Sequence, residues 1–219
     1  MIFAKIDFIN LLPVHVFLKK RIQSSQIKSI INYKKSYPSK INKKLKKSKV
    51  DSAFVSSIAS RGEKRLDYGI IARKNVRSVF LIPGKDKEDY QSQTSNALAK
   101  ILNLHGEVLI GDKALKFFHE NPDVQTIDLA LEWEKKFNLP FVFATLCYRK
   151  NGKMLKNIMK DFNKRQIKIP QYILNEYSKR SNISNKNILE YLKLIDYDIK
   201  IKEKRAIKKF LSLTKQKGF

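Results

Sequence analysis

Small polar residues recur where apolar runs of this chain end. In "IDFINLLPVH", residues 6–15, Asn10 follows the apolar Ile6, Phe8 and Ile9 and precedes Leu11, Leu12 and Pro13. Ser56 and Ser57 follow the apolar residues 53–55, and Ser78 lies in "VRSVF". "SQTSNAL" supplies Ser92, Thr94 and Ser95, and "IGDKAL" supplies Gly111 and Asp112. Taken singly, each has a bland reading. Asn, Ser, Thr and Asp are favoured helix N-caps, and Asp112 is placed to cap the helix that begins beside it. Taken together, an amide, several hydroxyls and the free N–H groups of helix starts can hold an anion without any arginine. A carboxylate ligand suits such a set. Gly111 would let the backbone approach it closely.

These residues can converge only if the elements around them bring the strand ends to one place. Residues 2–8 read as a strand and 11–21 as a helix. "IKSIINYK" (27–34) reads as a strand, and "YPSKINKKLKKS" (37–48) as a helix with Ser36 as its cap and Pro38 in its first turn. Further strands are expected at 51–57, 66–73, 76–84, 106–111, 125–130 and 139–150, and helices at 96–104, 112–120 and 131–137. Beyond residue 151 the pattern is helical, over 152–164, 170–180, 184–195 and 200–215. Strands alternating with helices predict an α/β fold with a largely parallel sheet. Open sheets of this kind bind ligands beyond the carboxyl ends of their strands, where Asn10, Ser56 and Ser57 stand.

Two strands, near 78–83 and 141–149, are placed to cross between lobes. The expected division is 1–82 plus 150–219 for one lobe and 83–149 for the other. A chain that leaves a lobe and returns makes a two-strand hinge with a cleft between the lobes, a favoured place for a ligand.

Composition excludes several classes. With 219 residues, 42% of them hydrophobic and only 7 Gly and 6 Pro, the chain can bury a real core. The single cysteine, Cys147, rules out an internal disulfide and fits a reducing compartment; its apolar run "PFVFATLCY" predicts a buried, inert thiol. No apolar stretch is long enough to span a bilayer, and the start lacks the pattern of a signal peptide, so a cytoplasmic protein is expected. No glycine-rich phosphate loop, metal-spaced His/Cys cluster or Ser/His/Asp set is legible. The net charge of +26 comes mostly from Lys spread along the chain, as a proteome-wide bias would leave it. No zinc-ligand spacing, RNA-binding motif or helix-turn-helix accompanies it, so no specific nucleic-acid partner is expected. Nothing in the sequence specifies an oligomeric state.

"FINLLP", "DSAFVSSI", "VRSVFL", "SQTSNAL", "LIGDKAL" and "DLALEWEKKFNLPFVFA" occur here in the order seen in the chorismate dehydratase family of the futalosine route to menaquinone. "ISNKNILEYLKLIDYDI" is similar as well, so the resemblance covers nearly the whole chain. It implies a two-lobed fold of the periplasmic-binding-protein type II kind, chorismate as the small-molecule substrate, and no metal or cofactor. By position it implies that Asn10 and Ser78 hold the leaving hydroxyl and orient the ring. Ser57, Thr94 and Ser95 match the carboxylate-binding positions, with Ser56, Ser92, Gly111 and Asp112 completing the expected substrate-binding set. Dihydroxynaphthoate synthase, of the same pathway and fold, carries a His-Glu pair where this chain has Gly111 and Asp112. Two departures stand out. Gln93 replaces the arginine common in "SRTS", and the second lobe is expected to be shorter than usual.

The implied reaction removes water from chorismate to leave an enolpyruvyl ether of benzoate. The C3 hydrogen is acidic because its loss delocalises charge onto the ring carboxylate. Donors that tighten on that carboxylate would favour the step. No side chain in these motifs is an evident base, and the implied acceptor is the substrate's own enolpyruvyl carboxylate. Two other readings stay open at this level: a non-catalytic carboxylate binder of the same fold, and a nucleic-acid binder driven by charge.

Overall fold

The computed structural model describes residues 1–26, 28, 35–164 and 167–219. Among these residues the strands form two sheets. The larger joins β1 (Phe3–Ala4), β2 (Ser52–Ser56), β3 (Lys64–Ala72), β7 (Phe141–Tyr148) and β8 (Ile195–Asp198) in the order β1-β2-β7-β3-β8. The smaller joins β4 (Val79–Pro83), β5 (Gly106–Ile110) and β6 (Ile127–Asp128) in the order β5-β4-β6. Every residue of β2, "SAFVS", is buried. That is the continuous apolar run of a strand covered on both faces, not the alternation of a surface strand.

The sheets are not largely parallel. β1 pairs parallel with β2, but β7 lies between β2 and β3 antiparallel to both, and β8 is antiparallel to β3. The smaller sheet is antiparallel throughout. The alternation of strand and helix gives β1, β2 and β3 one common direction. β7 departs from it because it re-enters the sheet from the other side, after the chain has visited the second sheet. The carboxyl ends of β1 and β2 thus share one edge with the start of β7, where Ser56 registers with Ala144.

The strand pairing also shows how the chain divides between the sheets. All of β4 belongs to the smaller sheet and all of β7 to the larger one. The boundary expected at 82/83 falls within β4, and the one at 149/150 follows β7. The first crossing is held by Asp128: its Oδ2 accepts from the Val76 and Arg77 N–H groups, each at 2.7 Å, while its Oδ1 caps the next helix through Ala130 and Leu131.

The helices are α1 (Leu12–Arg21), α2 (Pro38–Lys46), α3 (Gln93–Leu102), α4 (Gly111–Glu120), α5 (Leu129–Phe137), α6 (Gly152–Met159), α7 (Gln171–Ser181), α8 (Asn185–Leu192) and α9 (Ile201–Gln216). Ser36 caps nothing: Tyr37 precedes α2 and makes no side-chain cap. The strand expected over 2–8 shrinks to β1, with Ile6 making a lone bridge to Ser36. The strand expected over 27–34 lies outside the described residues, apart from Lys28. β8 interrupts the helical tail, because Ile195 and Asp196 pair with Ala72 and Ile71 at the edge of the larger sheet. Trp133 of α5, fully buried, meets the rings of Phe141 in β7 and Phe210 in α9 edge-on, at 5.3 and 6.0 Å. This aromatic contact joins the helix that follows the small sheet to the large sheet and the C-terminal helix. Cys147 is buried in β7, and burial pushes its thiol up to about 11. No described helix is long and apolar enough to cross a membrane.

Candidate active site

A cavity of about 50 Å³ lies between the two sheets. The larger sheet contributes Ser56, Ile70, Phe143 and Ala144; the smaller contributes Val79 and Ile110. Its polar lining is Asn10, Ser56, Ser78, Ser92 and Ser95, with Gly111 presenting backbone. Among the described residues no ionisable side chain lines it. Six of the nine residues singled out from sequence therefore share this cavity. Ser57, Thr94 and Asp112 do not.

Asn10 sits in a 3-10 turn, Ile9–Leu11, between β1 and α1. It caps neither element: Phe8 and Leu11 hold the cap positions, without side-chain bonds. Its Oδ1 is buried without a hydrogen-bond partner. A buried orphan amide oxygen costs roughly 1–3 kcal/mol. The turn is held from behind, where the Tyr197 hydroxyl donates to the Asn10 carbonyl at 2.6 Å.

Ser78 is buried in the crossing just before β4, and its Oγ lies 2.8 Å from the Tyr191 hydroxyl. The Asn10 side chain is a polar neighbour of that hydroxyl. Burial raises the Tyr191 phenol well above its ordinary range, so it stays protonated and acts as a donor and acceptor only. Tyr191 thus bonds Ser78 and stands near Asn10.

On the opposite wall, Ser92 is the N-cap of α3: its Oγ accepts from the Ser95 N–H at 3.2 Å and lies 2.9 Å from Ser95 Oγ. Ser56 Oγ accepts from Asn42 Nδ2 at 2.7 Å, and the Ser56 N–H donates to Asn42 Oδ1 at 3.3 Å. With its oxygen already accepting, the Ser56 proton is free for the cavity. The lysine-rich helix α2 therefore does more than present a solvated face, since it carries Asn42.

The other three residues bond elsewhere. The Ser57 hydroxyl donates to the Val142 carbonyl inside the large sheet. Thr94 Oγ1 accepts from the Ile58 N–H at 3.1 Å, tying α3 to the 3-10 turn after β2. Both are buried, and neither is among the residues that line the cavity. Asp112 does not cap α4, whose N-cap is Ile110; its Oδ1 accepts from the Ile9 N–H at 2.8 Å and its Oδ2 from Arg180 Nη2 at 3.2 Å. His15 is buried in the core with both ring nitrogens unpartnered. Burial drives it down to about 3, so it is neutral.

A family model described as menaquinone biosynthesis matches residues 93–216. The chorismate dehydratase of Campylobacter jejuni subsp. jejuni serotype O:23/36 (strain 81-176) is 45% identical over 219 residues, covering 98% of this chain and 98% of the relative. The chain belongs to the menaquinone-biosynthesis family. A crystal structure of protein AF1704 from Archaeoglobus fulgidus shares the fold at a TM-score of 0.70, with 11% identity, over 99% of this chain and 97% of that one. This member of the menaquinone-biosynthesis family and its curated relative match almost end to end. Tyr191, Tyr197 and Asn42 are the site residues that sequence reading missed. Each lies in a stretch read only as amphipathic helix or helical tail, and a tyrosine there carries no mark that separates a ring packed in the core from a hydroxyl aimed at a site.

Proposed function

We propose that this chain is a chorismate dehydratase, a hydro-lyase that converts chorismate to 3-[(1-carboxyvinyl)oxy]benzoate and water. The observation that carries the reading is the convergence of Asn10 and Ser78, the latter 2.8 Å from the Tyr191 hydroxyl, on a cavity with no ionisable side chain among its described lining residues. The 45% identical chorismate dehydratase supports it. Ser92, Ser95 and the Ser56 hydroxyl hold the substrate's carboxylate from the start of α3 and the end of β2. Ser78 donates to the departing C4 hydroxyl, with Tyr191 behind it, and Asn10 orients the ring through its free Oδ1.

The step breaks the C4–O and C3–H bonds, and the C3–H electron pair enters the ring as it becomes aromatic. The enolpyruvyl carboxylate of the substrate takes the C3 proton, which leaves with the hydroxide as water. The protein contributes orientation and donors that tighten as charge develops, effects worth several kcal/mol in a water-poor site. The lobes are the two sheets with their helices, closing on the cavity between them, and the single buried cysteine accords with a cytoplasmic setting.

The test is incubation of the purified protein with chorismate, followed by chromatography. A new aromatic enolpyruvyl ether that Asn10→Ala fails to produce is the expected result. Chorismate that stays intact while raising the melting temperature would replace the enzyme with a carboxylate-binding protein of the same fold.

A further inference from the structure

The motif "IGDKAL" remains without a use in the proposed chemistry, yet its glycine and aspartate grip both halves of the site. The Gly111 N–H donates to the Ser78 carbonyl at 2.8 Å. The Asp112 carboxylate accepts from the Ile9 N–H at 2.8 Å, one residue before Asn10. Gly111 has φ +66°, and a Cβ there would lie 2.9 Å from the Phe8 ring, so the helix start packs directly on the segment that leads into the Asn10 turn. One dipeptide at the start of α4, which follows β5 of the smaller sheet, thus holds Ser78 by its own carbonyl and the Asn10 turn by its leading N–H.

The second oxygen of Asp112 extends the grip. Arg180 of α7 donates to it at 3.2 Å and also to Asp7, at 2.7 Å to Oδ2 and 2.9 Å to the carbonyl. The Tyr177 hydroxyl donates to Asp7 Oδ1 at 2.7 Å, and the Arg180 guanidinium lies 4.2 Å from the Tyr177 ring centroid. Lys5 pairs with the same carboxylate at 2.8 Å. Residues 7 to 9 are therefore pinned at Asp7 and at Ile9. Both oxygens of Asp112 are already taken, and a carboxylate is a poor neighbour for a doubly anionic substrate.

We propose that Asp112 is a positioning residue for the dehydration: from the start of α4 it locks the turn bearing Asn10 in register with Ser78 across the cavity. The activity readouts rest on the dehydratase reading; the structural one does not. Burial raises the Asp112 carboxyl to about 6, against the pull of the Ile9 N–H and Arg180. The groups facing it titrate elsewhere. Burial opposes but does not prevent Lys5, Tyr177 and Arg180 from holding Asp7 at about 2, and burial lifts Tyr177 and Tyr191 above the ordinary phenol range. Protonation of Asp112 near pH 6 removes its charge toward Arg180 while leaving an acceptor for Ile9.

The experiment compares wild type, Asp112→Ala and Asp112→Asn. Asp112→Ala lowers kcat roughly tenfold or more, leaves KM within about threefold, and speeds exchange of the Ile9 amide seen by NMR. Asp112→Asn keeps an acceptor and retains more of kcat; wild-type kcat is expected to fall below about pH 6, and Asp112→Asn to abolish that fall. Should Asp112→Ala fail to fold, the pH profile and Ile9 exchange of Asp112→Asn still decide. A rise in KM alone would return Asp112 to substrate contact. Unchanged Ile9 exchange in Asp112→Ala, or an acid limb that persists in Asp112→Asn, would overturn the proposal. If wild type forms no product, the dehydratase reading fails, and Ile9 exchange still tests the lock by itself.

Discussion

The Tyr191 hydroxyl stands 2.8 Å from Ser78 Oγ, and both residues are buried. They are 113 positions apart in sequence, and the contact brings α8, in the C-terminal helical tail, against the crossing into the smaller sheet. A serine proton in such a pair has one preferred direction at any moment, so Tyr191 sets whether Ser78 donates or accepts. Tyr191→Phe keeps the ring and removes the hydroxyl. It should cost about 1 kcal/mol of stability and roughly tenfold in kcat. Thermal melting and steady-state turnover with chorismate check this, and full turnover by Tyr191→Phe would free Ser78 of the dependence.

Serines and threonines of neighbouring sequence should separate cleanly. Thr94→Val deletes the acceptor for the Ile58 N–H, leaving a buried donor unpaired at a cost of about 1–3 kcal/mol, with KM unchanged. Ser57→Ala should behave likewise, through the orphaned Val142 carbonyl. Ser95→Ala should instead raise KM for chorismate, by about tenfold if one good hydrogen bond to a charged group is lost, with a smaller effect on stability. Melting curves beside KM values distinguish the two patterns; a KM effect at Thr94 would contradict the geometry.

Gly111 and Gly62 both have positive φ, at +66° and +77°, but only Gly111 has a neighbour where a Cβ would stand. Gly62→Ala meets open space and should cost about 1 kcal/mol of left-handed strain. Gly111→Ala adds the clash with the Phe8 ring and should cost about 2–4 kcal/mol in total. It should also depress turnover, since Phe8 lines the cavity. Paired denaturant titrations measure the difference, and equal losses would mean that the ring yields freely.

His15 should make the protein sensitive to acid. The unfolded chain takes the imidazole proton near pH 6.5, while the folded chain, with the ring buried, takes it only near 3. Its contribution is whole above pH 6.5 and shrinks as pH falls through that window, by up to about 1.4 kcal/mol per pH unit. Asp112 works in the opposite sense. Its folded value of about 6 exceeds the unfolded 3.8, so acid between those values favours the fold and offsets part of the loss. His15→Leu should flatten the drop in melting temperature between pH 7 and pH 4. The same drop in both proteins would mean that other groups govern acid unfolding.

The cavity lining was partly legible because strand ends announce themselves. Asn10, Ser56, Ser78 and Gly111 interrupt or follow apolar runs, and the common direction of β1 and β2 gathers Asn10 and Ser56 at one edge of the larger sheet. Ser57 and Thr94 carry the same local signature, and their hydroxyls are spent on the Val142 carbonyl and the Ile58 N–H. No local pattern distinguishes a hydroxyl consumed by a distant backbone group from one that is free.

The sheet sense and the edge strand β8 failed for a related reason. Pairing depends on which strand comes back to the larger sheet from the smaller one, and β7 returns between β2 and β3. β8 is four residues long and follows a helix that shares its amphipathic character, so only its pairing with Ala72 and Ile71 marks it as a strand.

By itself, the sequence determined what depends on neighbours along the chain: which runs are apolar, where strands pass into helices, and which small polar residues stand at those joins. The tertiary structure alone decided where each polar atom's hydrogen-bonding capacity goes, since the partners of Asp112, Ser57, Thr94 and Ser78 lie 103, 85, 36 and 113 residues away. A buried donor or acceptor must be satisfied by whatever packing brings to it. The difference between a residue that binds and one that holds the binder in place is therefore a property of the fold.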